Sequence, residues 1–125
     1  MMLDDNELLR YSRQLLLPRF DIDGQLALKK ARVLVVGSGG LGCPVALYLG
    51  AAGVGELVLA DDDEVELANL QRQIAFDQEA IGRPKSEQLA ARVRVINPDI
   101  SVTARTDRLE GEVLMDAVAG VDLVL

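Results

Sequence analysis

Val33-Leu34-Val35-Val36-Gly37-Ser38-Gly39-Gly40-Leu41-Gly42 is a continuous apolar run that breaks into a glycine-rich turn. A strand buried on both faces of a parallel sheet reads in this way, because neither face needs polar side chains. The glycines fall as Gly37-x-Gly39-x-x-Gly42 and open an apolar helix predicted to run to about Ala52, with Gly53 as its stop. Strand, glycine turn and helix in that order place free N–H groups and positive partial charge at one point, which suits a phosphate. Downstream, Leu57 to Ala60 is a second apolar run ending in Asp61-Asp62-Asp63-Glu64. Asp61 stands where a carboxylate accepts hydrogen bonds from ribose hydroxyls. Together these features predict a nucleotide site. They leave NAD, FAD, S-adenosylmethionine and ATP open, and a glycine turn serving only helix–strand packing is the structural alternative.

Outward from this unit the same alternation continues. Lys85 to Ile96 is predicted helical, with Leu89, Val93 and Ile96 on one face and Asn97-Pro98 ending it. Ile100 to Ala104 alternates apolar and polar, the pattern of a less covered edge strand. Glu110 to Ala119 reads as a helix and Val121 to Leu125 as a further buried strand. Alternating units of this kind predict an α/β, Rossmann-like doubly wound parallel sheet in the order 3-2-1-4. Ahead of it, Asp4 to Leu17 reads as a helix with an Asp4–Glu7 capping box, and Gln25 to Ala31 as a second. The expected division is therefore a helical extension over 1–31 and an incomplete nucleotide-binding domain over 32–125. The apolar final strand expects a neighbour, so the chain reads as the N-terminal part of a longer protein.

Composition narrows the function classes. With 13 Lys+Arg against 20 Asp+Glu the formal charge is −7, which argues against nucleic acid as a partner. No apolar run approaches the roughly 18 residues of a membrane span. Cys43 is the single cysteine, so no internal disulfide forms and a cytoplasmic location is the default expectation. Cys43 itself reads as a small packed residue. The absence of histidine excludes Ser-His and Cys-His pairs and His-ligated metal within these residues.

Between Val65 and Pro84 the periodicity is weak, and a long functional loop with one helical turn near Asn69 to Arg72 is expected. Asn69-Leu70-Gln71-Arg72-Gln73 carries polar and cationic groups, and Lys85 follows Gly82-Arg83-Pro84. Beside an acidic run a polyphosphate needs local positive charge, which Arg72 and Lys85 can supply. Each of the two, taken alone, also reads as an ordinary solvated cation. A dehydrogenase using NAD would share the glycine turn and Asp61 but leaves both cations without a role; a non-catalytic nucleotide-binding or dimerisation unit is the other rival.

Four stretches together resemble the ThiF/MoeB/HesA family, the bacterial relatives of ubiquitin-activating enzymes. They are Arg10-Tyr11-Ser12-Arg13-Gln14, Val36 to Gly42, Asp61-x-Asp63-x-Val65-x-x-Ala68-Asn69-Leu70-Gln71-Arg72-Gln73, and Gly82-Arg83-Pro84-Lys85. The Arg10-Tyr11 and Leu70 to Gln73 segments look closer to its molybdopterin-synthase adenylyltransferase branch. Ala68 stands where the family commonly has Ser. The resemblance implies ATP- and Mg²⁺-dependent adenylation of the C-terminal Gly-Gly carboxylate of a ubiquitin-like sulfur-carrier protein, for molybdopterin or thiamine biosynthesis. It further implies an ATP site formed by Gly37, Gly39, Gly40 and Asp61, with Asn69, Gln71, Arg72 and Lys85 on the phosphates. Arg72 and Lys85 would act in catalysis, together with Arg13 reaching into the other subunit of a homodimer. The family's magnesium-binding Asp and its Zn²⁺-binding Cys-x-x-Cys pairs are expected after Leu125, so residues 1–125 alone are expected to adenylate weakly or not at all.

Overall fold

The computed structural model describes every residue from Met1 to Leu125. Four parallel strands form one sheet: β1 (Arg32–Val36), β2 (Glu56–Ala60), β3 (Ser101–Arg105) and β4 (Leu123–Val124), in the order β3-β2-β1-β4. This is the 3-2-1-4 arrangement the sequence predicts, with the alternating strand at one edge. In register, Val33 faces Leu57 and Leu57 faces Val102. Three helices belong to the sheet's connections: α4 (Gly42–Ala52), α5 (Lys85–Ile96) and α6 (Gly111–Ala119).

Alternation along β1 divides the two faces of the sheet. Val33 and Val35 join Leu57, Leu59, Leu89 and Val93 in the main core, on the face covered by α4 and α5. Leu34 turns to the opposite face and is also fully buried. There α6 lies over Val58 and Thr103, with a gap of about 280 Å³ between them. Right-handed crossovers require this split, because the path reverses direction after β3. The reversal sets the switch point between β1 and β4 at the carboxyl ends of the strands, where ligands of such sheets bind.

The final strand departs from expectation. Val121 to Leu125 reads as buried, yet Leu123, Val124 and Leu125 are exposed. β4 has β1 on one side only, and no residue of α6 is buried, so neither cover nor a second neighbour removes these side chains from water. No helix is long and apolar enough to cross a membrane.

The N-terminal helices also differ from the reading above. The Asp4–Glu7 capping box forms, but the helix breaks at Tyr11 into α1 (Asp5–Arg10) and α2 (Ser12–Leu15). Tyr11 is buried, and its hydroxyl accepts a hydrogen bond from Asn97 Nδ2 at 2.9 Å. That amide also donates to Gly50 O at 2.8 Å. The break thus falls at a residue held by a contact 86 residues away in sequence. The next helix, α3 (Asp21–Lys30), begins four residues earlier than Gln25. Gln14 and Gln25 both donate to Ala52 O, at 2.7 and 2.9 Å. Arg10 pairs with Asp99 at 3.2 Å. The extension is therefore fastened to the C-terminal ends of α4 and α5.

Candidate nucleotide site

β1 ends into the glycine turn with a backbone that only glycine adopts readily: Gly37 has φ of +98°. A Cβ at Gly42 would lie 1.9 Å from Gly37 O, so the turn and the start of α4 can close on each other only without a side chain there. The consequence is a row of unsatisfied donors. The amides of Gly39, Gly40, Leu41 and Gly42 donate to nothing in the chain, whereas Cys43 N already bonds Gly39 O. A cradle of this kind, with open space beside Gly40, suits an anion.

Asp61, at the end of β2, ties the turn to the following loop. Its Oδ2 accepts from Ser38 N at 2.7 Å and its Oδ1 from Asp63 N at 2.8 Å. Each oxygen keeps a lone pair for a further donor, so the side chain can still take two vicinal hydroxyls. Asp61 lines a cleft of about 470 Å³ with Gly37, Ala60, Asp62, Asp107 and Arg108. Asp107 is held below the usual carboxylate range by the Arg105 guanidinium at 2.8 Å. The cleft is acidic overall and fits neutral, hydroxyl-bearing chemistry, while the anion-seeking groups lie beside it. The Asp107–Leu109 segment had no role in the sequence reading; its signal is its place directly after β3, at the ligand-binding edge.

The segment from Asp61 to Lys85 is pinned by long-range backbone bonds. Val65 N donates to Arg83 O at 2.9 Å, Gly82 N to Val65 O at 2.8 Å and Lys85 N to Asp63 O at 3.0 Å. The expected turn at Asn69 to Arg72 forms, with Arg72 N and Gln73 N donating to Asn69 O at 3.2 and 2.9 Å, and two short 3₁₀ turns, Leu67–Asn69 and Gln78–Ala80, stand beside it in the loop. Lys85 opens α5 and is only 8% exposed. Its ammonium has no hydrogen bond or ion pair, although it is not sealed from solvent. A cation with a buried stem and no partner is rare and needs an anion. Asn69 is similar: its Oδ1 accepts from Glu66 N at 2.9 Å, which leaves its NH₂ undirected.

The sequence-predicted residues therefore do not all converge. Gly37, Gly39, Gly40 and Asp61 meet at the turn, and Lys85 is held near it by its N–H to Asp63 O at 3.0 Å. Arg72 and Gln71 are exposed, each turned back on Ala68 O, at 3.0 and 3.4 Å. Arg13 is exposed on α2, whose Gln14 is fixed to the far end of α4. An 11-residue helix is about 16 Å long. Arg13 thus sits well away from its own chain's turn.

Cys43 is packed, not reactive. Its thiol donates to Ser38 O at 3.1 Å, and burial pushes its pKa up to about 11. The folded state therefore holds a proton that the unfolded state releases from about pH 8.5–9. Stability should fall as pH rises from there towards 11, by about 1.4 kcal/mol per unit from this group. Urea midpoints at stepped pH check this: Cys43→Ala should show a shallower alkaline decline than the parent. Equal slopes would remove the thiol from the account.

The family model described as ThiF family matches residues 11–125. The Sulfur carrier protein ThiS adenylyltransferase of Escherichia coli (strain K12) is 56% identical, over 98% of this chain and 49% of its own length. The Molybdopterin-synthase adenylyltransferase of Salmonella typhimurium (strain LT2) is 49% identical over the same shares. Among solved structures, E. coli MccB with ATP superposes with a TM-score of 0.82 at 31% identity, covering 97% of this chain and 37% of that one. The chain spans about half the length of the curated relatives it matches.

Proposed function

Because this chain belongs to the ThiF family, we propose that the full-length protein is an ATP-dependent adenylyltransferase acting on the C-terminal Gly-Gly carboxylate of a ubiquitin-like sulfur carrier. One observation carries this reading: the unpaired amides at Gly39–Gly42 adjoin Asp61, a carboxylate poised for ribose, and Lys85, whose ammonium is unpaired, is tied to the same edge by its N–H to Asp63 O. The names of the two curated relatives support the reaction class. The higher identity to the ThiS adenylyltransferase moves the weight towards a ThiS-like carrier, away from the molybdopterin branch suggested by Leu70 to Gln73.

In the proposed step a carboxylate oxygen of the carrier attacks the α-phosphorus of ATP. A P–O bond forms, the bond to the β-phosphate oxygen breaks, and pyrophosphate leaves with its electron pair. A C-terminal carboxylate, with a pKa of about 3.5, is already ionised at neutral pH, so no general base is required. The demand on the protein is alignment and charge neutralisation. Asp61 would hold the ribose, the Gly39–Gly42 amides the phosphates, and Lys85 with Asn69 and Gln71 the leaving pyrophosphate. Arg72 would swing in from Ala68 O. Arg13 would serve the site of a second copy, which its distance from its own turn favours; a homodimer is part of the proposal.

Magnesium would add charge neutralisation on the phosphates. The one carboxylate cluster here, Asp61-Asp62-Asp63, lies on the ribose side, and the lone pairs that Ser38 N and Asp63 N leave on Asp61 would go to the ribose hydroxyls, so it does not fit that task. One cysteine and no histidine do not make a zinc site. Ligands for both metals would lie beyond Leu125.

Asp61→Ala should weaken ATP binding by about 1.5–3 kcal/mol, the scale of hydrogen bonds to a charged group. Part of the loss should come from freeing Ser38 N. Calorimetric titration with ATP measures it, and an unchanged affinity would take Asp61 out of the site. The reaction itself is tested by ATP–pyrophosphate exchange with a Gly-Gly-ended carrier. Carrier-dependent exchange is expected; reduction of NAD with a small substrate, or carrier binding without exchange, would overturn the proposal.

A further inference from the structure

Three side-chain atoms in the chain are sealed from solvent and have no hydrogen-bond partner: Ser38 Oγ, Gln73 Oε1 and Ser86 Oγ. Native cores keep few such groups. All three belong to the segments that build the site, namely the glycine turn, the loop over it and the residue after Lys85. Gln73 is the informative one. It is 3% exposed, and its backbone is fixed at both ends, with N donating to Asn69 O at 2.9 Å and O accepting from Phe76 N at 3.1 Å. Its Nε2 lies 3.5 Å from the position a Cβ would take on Gly39. That nitrogen is neither bonded nor sealed, while the oxygen of the same amide is buried without a donor. The side chain thus leaves its acceptor unsatisfied and holds its NH₂ free beside the unpaired Gly39 amide.

We infer that Gln73 is a further phosphate-binding residue, its Nε2 donating to the polyphosphate of the nucleotide held by the glycine turn. This rests on the nucleotide reading above and deepens it. A side-chain donor on a rigid backbone adds to the cradle without adding a positive charge. Such a donor shares the anion with Lys85 and leaves the acidic ribose side undisturbed. The partnerless oxygen is the cost of that orientation.

Gln73→Met and Gln73→Glu in the full-length protein test this, with ATP and adenosine affinities measured by calorimetry and competition. Methionine keeps the shape and removes both polar atoms, so the melting temperature should stay level or rise, since no acceptor is left buried. ATP should bind about tenfold more weakly, the loss of one hydrogen bond to a charged partner. Glutamate should weaken ATP further by repulsion, and adenosine should bind all three proteins alike. Unchanged ATP affinity in the Met variant overturns the inference. So does an equal loss for ATP and adenosine, which would mark a merely structural role. Failure of the parent protein to bind ATP would remove the nucleotide reading and this inference with it.

Discussion

Lys85→Met should lower carrier-dependent pyrophosphate exchange by about 10²–10³, the scale of one electrostatic donor to a transition state, without lowering the stability of the fold. The two halves of this result come from one fact. Lys85 is nearly buried and its ammonium has no partner, so the resting protein bears the cost of partial desolvation with no ion pair to offset it. Methionine retains the packed stem and removes that cost. Charge builds on the departing pyrophosphate as the P–O bond breaks, so the effect should fall on kcat more than on KM. A variant that keeps its turnover would show Lys85 to be a structural cation. A variant that loses stability and turnover together would place the lysine in the packing and not in the chemistry.

Arg72→Ala should also reduce turnover by about 10²–10³, but for a different structural reason. The guanidinium is exposed and makes a single bond to Ala68 O at 3.0 Å. Stability should therefore change by no more than about 0.5 kcal/mol, as for most surface substitutions. The side chain must leave Ala68 to reach the phosphates, and its planar fork then binds them in a way a lysine cannot match. Arg72→Lys should accordingly recover only part of the lost rate. Full turnover in the alanine variant would reduce Arg72 to a surface charge.

The sheet was legible because its signals are local. An unbroken run from Val33 to Val36, a glycine turn and a clean helical period from Lys85 to Ile96 each declare themselves within a dozen residues, and α5 spans the residues its period predicts. Asp61 was legible from its position after β2. The break at Tyr11 was not, since no Gly or Pro marks it in the sequence. The loop from Val65 to Pro84 reads as irregular, because its shape comes from bonds such as Val65 N to Arg83 O and the Glu64–Pro84 bridge, not from periodicity. The exposure of β4 follows from how little covers it, which composition does not encode. Gln73 stood in the quoted motif without a role. Only packing shows that one end of its amide is sealed and the other free.

The central claim is that the glycine-turn amides, Asp61 and Lys85 grip one triphosphate. A crystal structure of the full-length protein with ATP tests it most directly. The account predicts phosphate oxygens at about 3 Å from the Gly39–Gly42 amides and Lys85 Nζ, with ribose hydroxyls on Asp61. A triphosphate bound elsewhere, or bound here with Lys85 turned away from it, would contradict the account.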